Sequence, residues 1–65
     1  MHVGQQLKNG SMLLAWKEER DTVIVLALSP KNEFVTWTLD PHGDTCSGNY
    51  YSDLLSSVED FKVRY

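Results

Sequence analysis

The stretch 34-FVTWTLDPHGDTCSGNYY-51 decides the fold. Val35, Trp37 and Leu39 alternate with Thr36 and Thr38, the period of a β-strand with one buried face. Asp40-Pro41-His42-Gly43 then fits a type I turn position by position. Asp is a side-chain acceptor at the first corner, Pro brings its preset φ to the second, His42 takes the exposed tip, and Gly closes the turn. A strand ending in such a turn returns antiparallel, so Thr45 to Tyr51 is read as its partner. Gly48 within that partner has no side chain to pack, which marks a bulge or the close approach of another element.

Working back toward the N-terminus, Thr22 to Ser29 is rich in β-branched residues and apolar on both alternating sets. Such a run reads as a central strand covered on two faces. Ser29-Pro30-Lys31-Asn32 joins it to Phe34 through another type I turn, with Asn32 where a left-handed backbone is tolerated. Ser11 to Glu18 is a further strand, entered from the turn dipeptide Asn9-Gly10 and left through the solvated turn Glu18-Glu19-Arg20-Asp21.

From Ser52 onward the period lengthens to that of a helix. At about 100° per residue, Leu54, Val58, Phe61 and Tyr65 fall in one stripe, with Leu55 at its edge and Val63 roughly opposite. Ser52 or Asp53 can cap its start, and Lys62 and Arg64 suit the negative end of the helix dipole. Asp60 and Arg64, four apart, are placed to pair on the wet face.

The expected fold is therefore α+β: a small antiparallel four-stranded meander with one C-terminal amphipathic helix packed on one face. A single domain spans 1–65, with a loose N-terminal arm (1–10), the sheet (11–51) and the helix (52–65). Alternation assigns Met12, Leu14, Trp16, Ile24, Leu26, Leu28, Val35, Trp37, Leu39, Cys46 and Tyr50 to the helix side. The other side then carries Leu13, Ala15, Lys17, Val23, Val25, Ala27, Phe34, Thr36 and Thr38. Trp16 turns outward if the register of its strand slips by one residue.

Size and charge narrow the function. A chain of 65 residues buries a modest core, and small domains often gain stability from disulfides, a metal or association. The single cysteine, Cys46, excludes an internal disulfide and favours a reducing compartment, so a cytoplasmic protein is expected. The N-terminus has neither the basic nor the apolar segment of a secretion signal, and the apolar run Val23 to Leu28 is far too short to span a bilayer. Nine acidic residues against six basic ones give a net charge of −3, which disfavours nucleic acid and anionic lipid as partners.

Chemistry-bearing residues crowd only around the 40–44 turn. A metal site there would draw on His42, Asp44 and Cys46, with Asp40 behind them. The set holds one thiolate and one histidine, short of the paired spacings that zinc favours, and His2 lies at the far terminus. A Cys46–His42 nucleophile would need an orienting group and an oxyanion donor, and neither is legible. Glu18 with Glu19 and Glu59 with Asp60 point apart along their elements and read as solvated charges. No glycine loop precedes the helix in the way a phosphate cradle requires. The expectation is a non-enzymatic chain without cofactor or bound metal.

Val35-Thr36-Trp37, Ser47-Gly-Asn-Tyr-Tyr51, and Asp60-Phe61 with Arg64 together resemble the tail of small uncharacterised bacterial and phage proteins, in which a sheet is followed by a short C-terminal helix. The resemblance implies a microbial or viral cytoplasmic protein acting by contact, and it carries over no catalytic residue.

One helix covers one sheet face, so the other face is expected to dock another protein or a second copy of the chain. Leu13, Ala15, Val23, Val25, Ala27 and Phe34 are its candidate contact residues. An edge strand offers the same partner a second route.

Overall fold

The computed structural model describes residues 1–64. Strands β1 (Met12–Glu19), β2 (Thr22–Leu28), β3 (Phe34–Leu39) and β4 (Thr45–Tyr51) form one antiparallel sheet in the order β1-β2-β3-β4. Helix α1 (Leu54–Val63) follows and packs on one face of it. Among the described residues no helix is long and apolar enough to cross a membrane.

One turn geometry recurs three times. In Leu7–Ser11, Ser29–Glu33 and Asp40–Asp44 the fourth residue's N–H donates to the first residue's carbonyl, at 3.0, 2.9 and 2.9 Å. The first residue's N–H then donates to the fifth residue's carbonyl, at 2.8, 2.8 and 3.0 Å. The fourth residue takes a left-handed backbone each time: Gly10 at φ 89°, Asn32 at 62° and Gly43 at 82°. This is the type I turn closed by a left-handed residue that three-residue hairpin loops favour. Side chains hold the loops: the Asp40 carboxylate accepts the N–H groups of His42 (2.9 Å) and Asp44 (3.0 Å).

The first of these turns shows that the N-terminal arm is not loose. Gln6 bridges Met12, the Gly4 N–H donates to the Leu13 carbonyl (2.7 Å) and the Leu13 N–H to the Gln5 carbonyl (2.8 Å). The arm folds back on the outer edge of β1 and sinks Leu7 into the core.

Register redistributes the two faces. Val25 lies opposite Trp37, Val23 opposite Leu39 and Ala27 opposite Val35. The β3 residues Val35, Trp37 and Leu39 therefore share the face of Val25, not that of Ile24 and Leu26, and lie away from the helix. A bulge at Leu14 reverses the alternation of β1. Ala15 and Lys17 pass to the helix side and Trp16 to the opposite one, where it stays partly exposed. A second bulge sets Ser47 and Gly48 opposite Trp37, so Cys46 and Tyr50 fall on opposite faces. Cys46 is exposed rather than inward, its thiol donating to the Thr38 carbonyl (3.2 Å).

The principal core thus lies on the face without the helix. Leu7, Leu13, Val25, Ala27, Val35, Trp37 and Leu39 form it, with Val23 packed against them. Gly48 makes that packing possible, because a Cβ there would overlap the Trp37 indole nitrogen and come within 2.8 Å of Cδ1. Its backbone is not left-handed, so the constraint is purely steric. Gly48→Ala should cost about 1–3 kcal/mol by overpacking, read as a lower urea midpoint with a perturbed Trp37 signal. An unchanged midpoint would show that the indole can move aside freely.

Candidate functional site

Three places gather polar chemistry. The first is the 40–44 turn. His42 and Asp44 are exposed, and Cys46 lies beyond them on the helix side of β4. Lys8 from the N-terminal turn reaches across, donating to the His42 carbonyl (2.6 Å) and pairing with Asp44 (3.5 Å) between highly exposed side chains. Among the described residues no three His, Cys, Asp or Glu side chains converge as metal ligands. A hydrogen bond from the Asp44 backbone, opposed by desolvation and joined by one from the His42 backbone, holds the Asp40 carboxyl below its ordinary value. That is turn chemistry.

The second place is the seat of α1. Asp53 caps the helix, accepting from the Ser56 N–H (2.9 Å). The helix then settles on a different face from the one its apolar stripe predicts. Ser57 is fully buried, while Leu54 is 49 % exposed and Leu55, at the stripe's edge, 70 %; Val63 is exposed, as its place opposite the stripe predicts. The seat is rotated by roughly 60° from the Leu54–Val58–Phe61 stripe, counting 100° per residue; Tyr65, expected in that stripe, lies outside the described residues. Asp60 and Arg64 are consequently inside rather than on the wet face. Thr36, buried in β3, donates its hydroxyl to the Asp60 carboxylate, and the Asn49 amide donates to the same oxygen (3.2 Å). Arg64 donates to the Thr36 carbonyl (3.0 Å), the Thr36 hydroxyl oxygen (2.8 Å) and the Ser47 carbonyl, and lies 3.9 Å from Asp60. Lys17 extends from β1 over the Phe61 ring (5.4 Å) and donates to the Lys62 carbonyl (3.0 Å).

Burial works against the Asp60 carboxylate, but hydrogen bonds from Thr36, Asn49 and Tyr51 and the Arg64 charge outweigh it and leave its pKa below the ordinary value. Desolvation, with that carboxylate close by, pushes the Tyr51 phenol upward. A carboxyl whose folded pKa is lowered binds fewer protons folded than unfolded, so it stabilises the fold above its unfolded pKa. We expect stability to be level above about pH 5 and to fall as acid protonates Asp60 below its model-peptide range. Asp60→Asn should flatten part of this acid slope in urea midpoints measured against pH. The exposed carboxylates Asp40 and Asp53, also lowered, supply the rest. An identical slope in the variant would remove Asp60 from the explanation.

The third place is a hollow of about 500 Å³ on the core face, lined by Asn9, Ser11, Ser29, Pro30, Lys31, Glu33, Trp37 and Tyr50. The 7–11 and 29–33 turns meet there: a Cβ on Gly10 would touch the Pro30 ring at 3.5 Å. The Tyr50 ring stands perpendicular to the Trp37 indole, at 88° and 6.2 Å between centroids. Tyr50 is 58 % exposed, whereas Trp37 and Ser11 are only 6 % and 1 % exposed. Neither the Ser11 hydroxyl nor the Trp37 indole N–H has a hydrogen-bond partner among the described residues. No fully buried polar side-chain atom among the described residues lacks a partner, so both atoms keep some contact with solvent. A second depression, of about 620 Å³, is bounded by Glu19, Arg20, Asp21 and Thr22 of one turn and has no aromatic wall.

The six expected contact residues do not form an open face. Leu13, Val25 and Ala27 are fully buried, Val23 packs against them, and Ala15 and Phe34 lie on the helix side, half-buried. The N-terminal arm, expected to be loose, closes the face through Leu7. The hollow escaped sequence reading because its walls come from two turns and two strands; its one local sign was Gly48 beside two tyrosines. Compared with known proteins, the chain matches no family model, no curated protein and no solved structure.

Proposed function

We propose that this chain is a non-enzymatic protein-interaction module that receives its partner in the hollow beside Tyr50. The observation that carries this is an exposed aromatic ring, Tyr50, standing at right angles to Trp37 on the wall of a hollow otherwise lined mostly by polar side chains. A contact surface with an aromatic anchor and a few directional polar groups is what recognition sites share. With the apolar sheet face sealed, the hollow rather than that face is taken as the docking surface. A protein partner suits the site better than nucleic acid, since the chain is net acidic and the rim holds Glu33 as well as Lys31. The cytoplasm is the compartment that fits an exposed, lone thiol.

The test is selection of displayed random peptides on the immobilised chain, followed by amide-shift mapping of the binders. Binders that shift Asn9, Ser11, Lys31 and Tyr50 support the proposal. A second copy acting as partner would shift the same amides as concentration rises. No binders, or binders mapping only to α1 or the β1–β2 turn, would end it.

A further inference from the structure

We propose that α1 is a strap latched by one carboxylate at its start and one toward its end, and that it lets go in acid as a unit while the sheet and its principal core stay folded. The device is independent of what occupies the hollow.

The helix can leave without opening that core. The core lies on the opposite sheet face, and none of its members belongs to α1 or carries a titratable group. Within α1 only Ser57 is fully buried. The apolar surface beneath the helix is the strip of Ile24 and Leu26 in β2, both buried. Burial of that strip favours the docked helix, so release needs the latches to fail. An element attached mainly by polar contacts and sharing no part of the core is the kind that opens as a separate cooperative unit.

The first latch is Asp53, which accepts the Ser56 N–H (2.9 Å) and so caps the helix start. The second is Asp60. It accepts from the Thr36 hydroxyl of β3 and the Asn49 amide of β4 (3.2 Å), and it faces the Arg64 guanidinium at 3.9 Å. The Tyr51 phenol of β4 also bonds to it. From β1, Lys17 reaches the same side of the sheet, over Phe61 and 3.9 Å from Glu19, while β2 offers only the apolar Ile24 and Leu26. Lysine and arginine remain cationic throughout the acid range and a phenol remains neutral, so carboxylates alone change charge there. Among the described residues, Asp53 and Asp60 are the carboxylates that hold the helix through hydrogen bonds; Glu59 lies exposed on α1 itself.

A proton on Asp60 removes the charge opposite Arg64, whose side chain is only 13 % exposed, and leaves a mostly buried cation uncompensated. A proton on Asp53 weakens the cap, since a neutral carboxyl accepts less strongly. Asp53 is held below its ordinary value by bonds from Ser56. Asp60, against desolvation, is held below its own by bonds from Thr36, Asn49 and Tyr51 and by the Arg64 charge. Docked α1 therefore binds fewer protons than released α1, and the latches weaken as pH falls from about 5 toward about 2.

The experiment is an NMR titration of the isotope-labelled chain from about pH 7 to about pH 2, with far-UV circular dichroism alongside. We expect the 54–63 amides to reach random-coil positions at a midpoint at least about one pH unit above any loss of dispersion at Leu13, Val25, Val35 and the Trp37 indole. Asparagine keeps an acceptor at each latch but does not titrate there, so the double variant Asp53→Asn, Asp60→Asn should show no acid step in α1. Asp40→Asn, in the β3–β4 turn, should leave the step where it is. Collapse of α1 and core resonances together, or α1 still docked at the lowest pH, would overturn the proposal. So would an α1 step that survives in the double variant or moves with Asp40→Asn.

Discussion

Val25→Asp will leave the chain unfolded at room temperature. Val25 is fully buried in the centre of β2, opposite Trp37 and within the cluster that includes Leu7, Leu13 and Val35. A carboxylate there has no cation within its cluster to pair with, so it must either be buried as an uncompensated charge or drag water into the core. The cost exceeds about 4 kcal/mol. A domain of this size holds only about 3–10 kcal/mol in total. Circular dichroism should show loss of the sheet signal, and amide resonances should collapse toward random-coil positions. Leu55→Asp is the contrasting variant. On helix periodicity Leu55 borders the apolar stripe, yet it is 70 % exposed, so the change should alter stability by less than about 0.5 kcal/mol. A folded Val25→Asp chain would show that the core face is open after all.

Arg64→Met should destabilise the fold by about 2–4 kcal/mol, because one guanidinium serves three oxygens of the sheet and faces the Asp60 carboxylate. Methionine keeps most of the aliphatic stem, so the loss reports the polar contacts rather than the packing. The Ser47 carbonyl sits in a bulge whose backbone is left-handed at φ 56°, and Arg64 is the side chain that holds it. The loss should therefore appear in two places: faster hydrogen exchange in α1, and altered amides at Ser47 and Gly48. Arg64→Lys should recover only part of the stability, since one ammonium cannot bridge the same set of oxygens. Equal urea midpoints for Arg64→Met and the parent chain would mean that apolar contacts around Phe61 seat the helix.

These two variants mark where sequence reading succeeded and where it stopped. The turns were legible because each depends on local chemistry: Asp40 as acceptor, Pro30 and Pro41 at their corners, and Asn32 and Gly43 where the backbone turns left-handed. Strand identity was legible from β-branched runs, and the antiparallel order followed from short connections. Gly48 signalled both a bulge and a close approach, and the Trp37 indole accounts for the second. Face assignment was not legible. Strict alternation puts Met12, Leu14 and Trp16 on one side, and a single extra residue at Leu14 overturns it.

Four strands, their turns and a capped terminal helix are written in the residues themselves, since each rests on interactions within a few positions along the chain. The pairing of Val25 with Trp37, the burial of Leu7 beneath the folded-back arm and the rotation of α1 onto Thr36 and Asn49 arise only once distant segments meet. The bulge at Leu14 adds one residue to β1 with no glycine or proline to mark it, yet it moves every later side chain of that strand to the opposite face. The helix likewise follows the hydrogen-bonding partners its seat provides, because an unpaired Asp60 or Arg64 beneath it costs more than an exposed leucine at its rim.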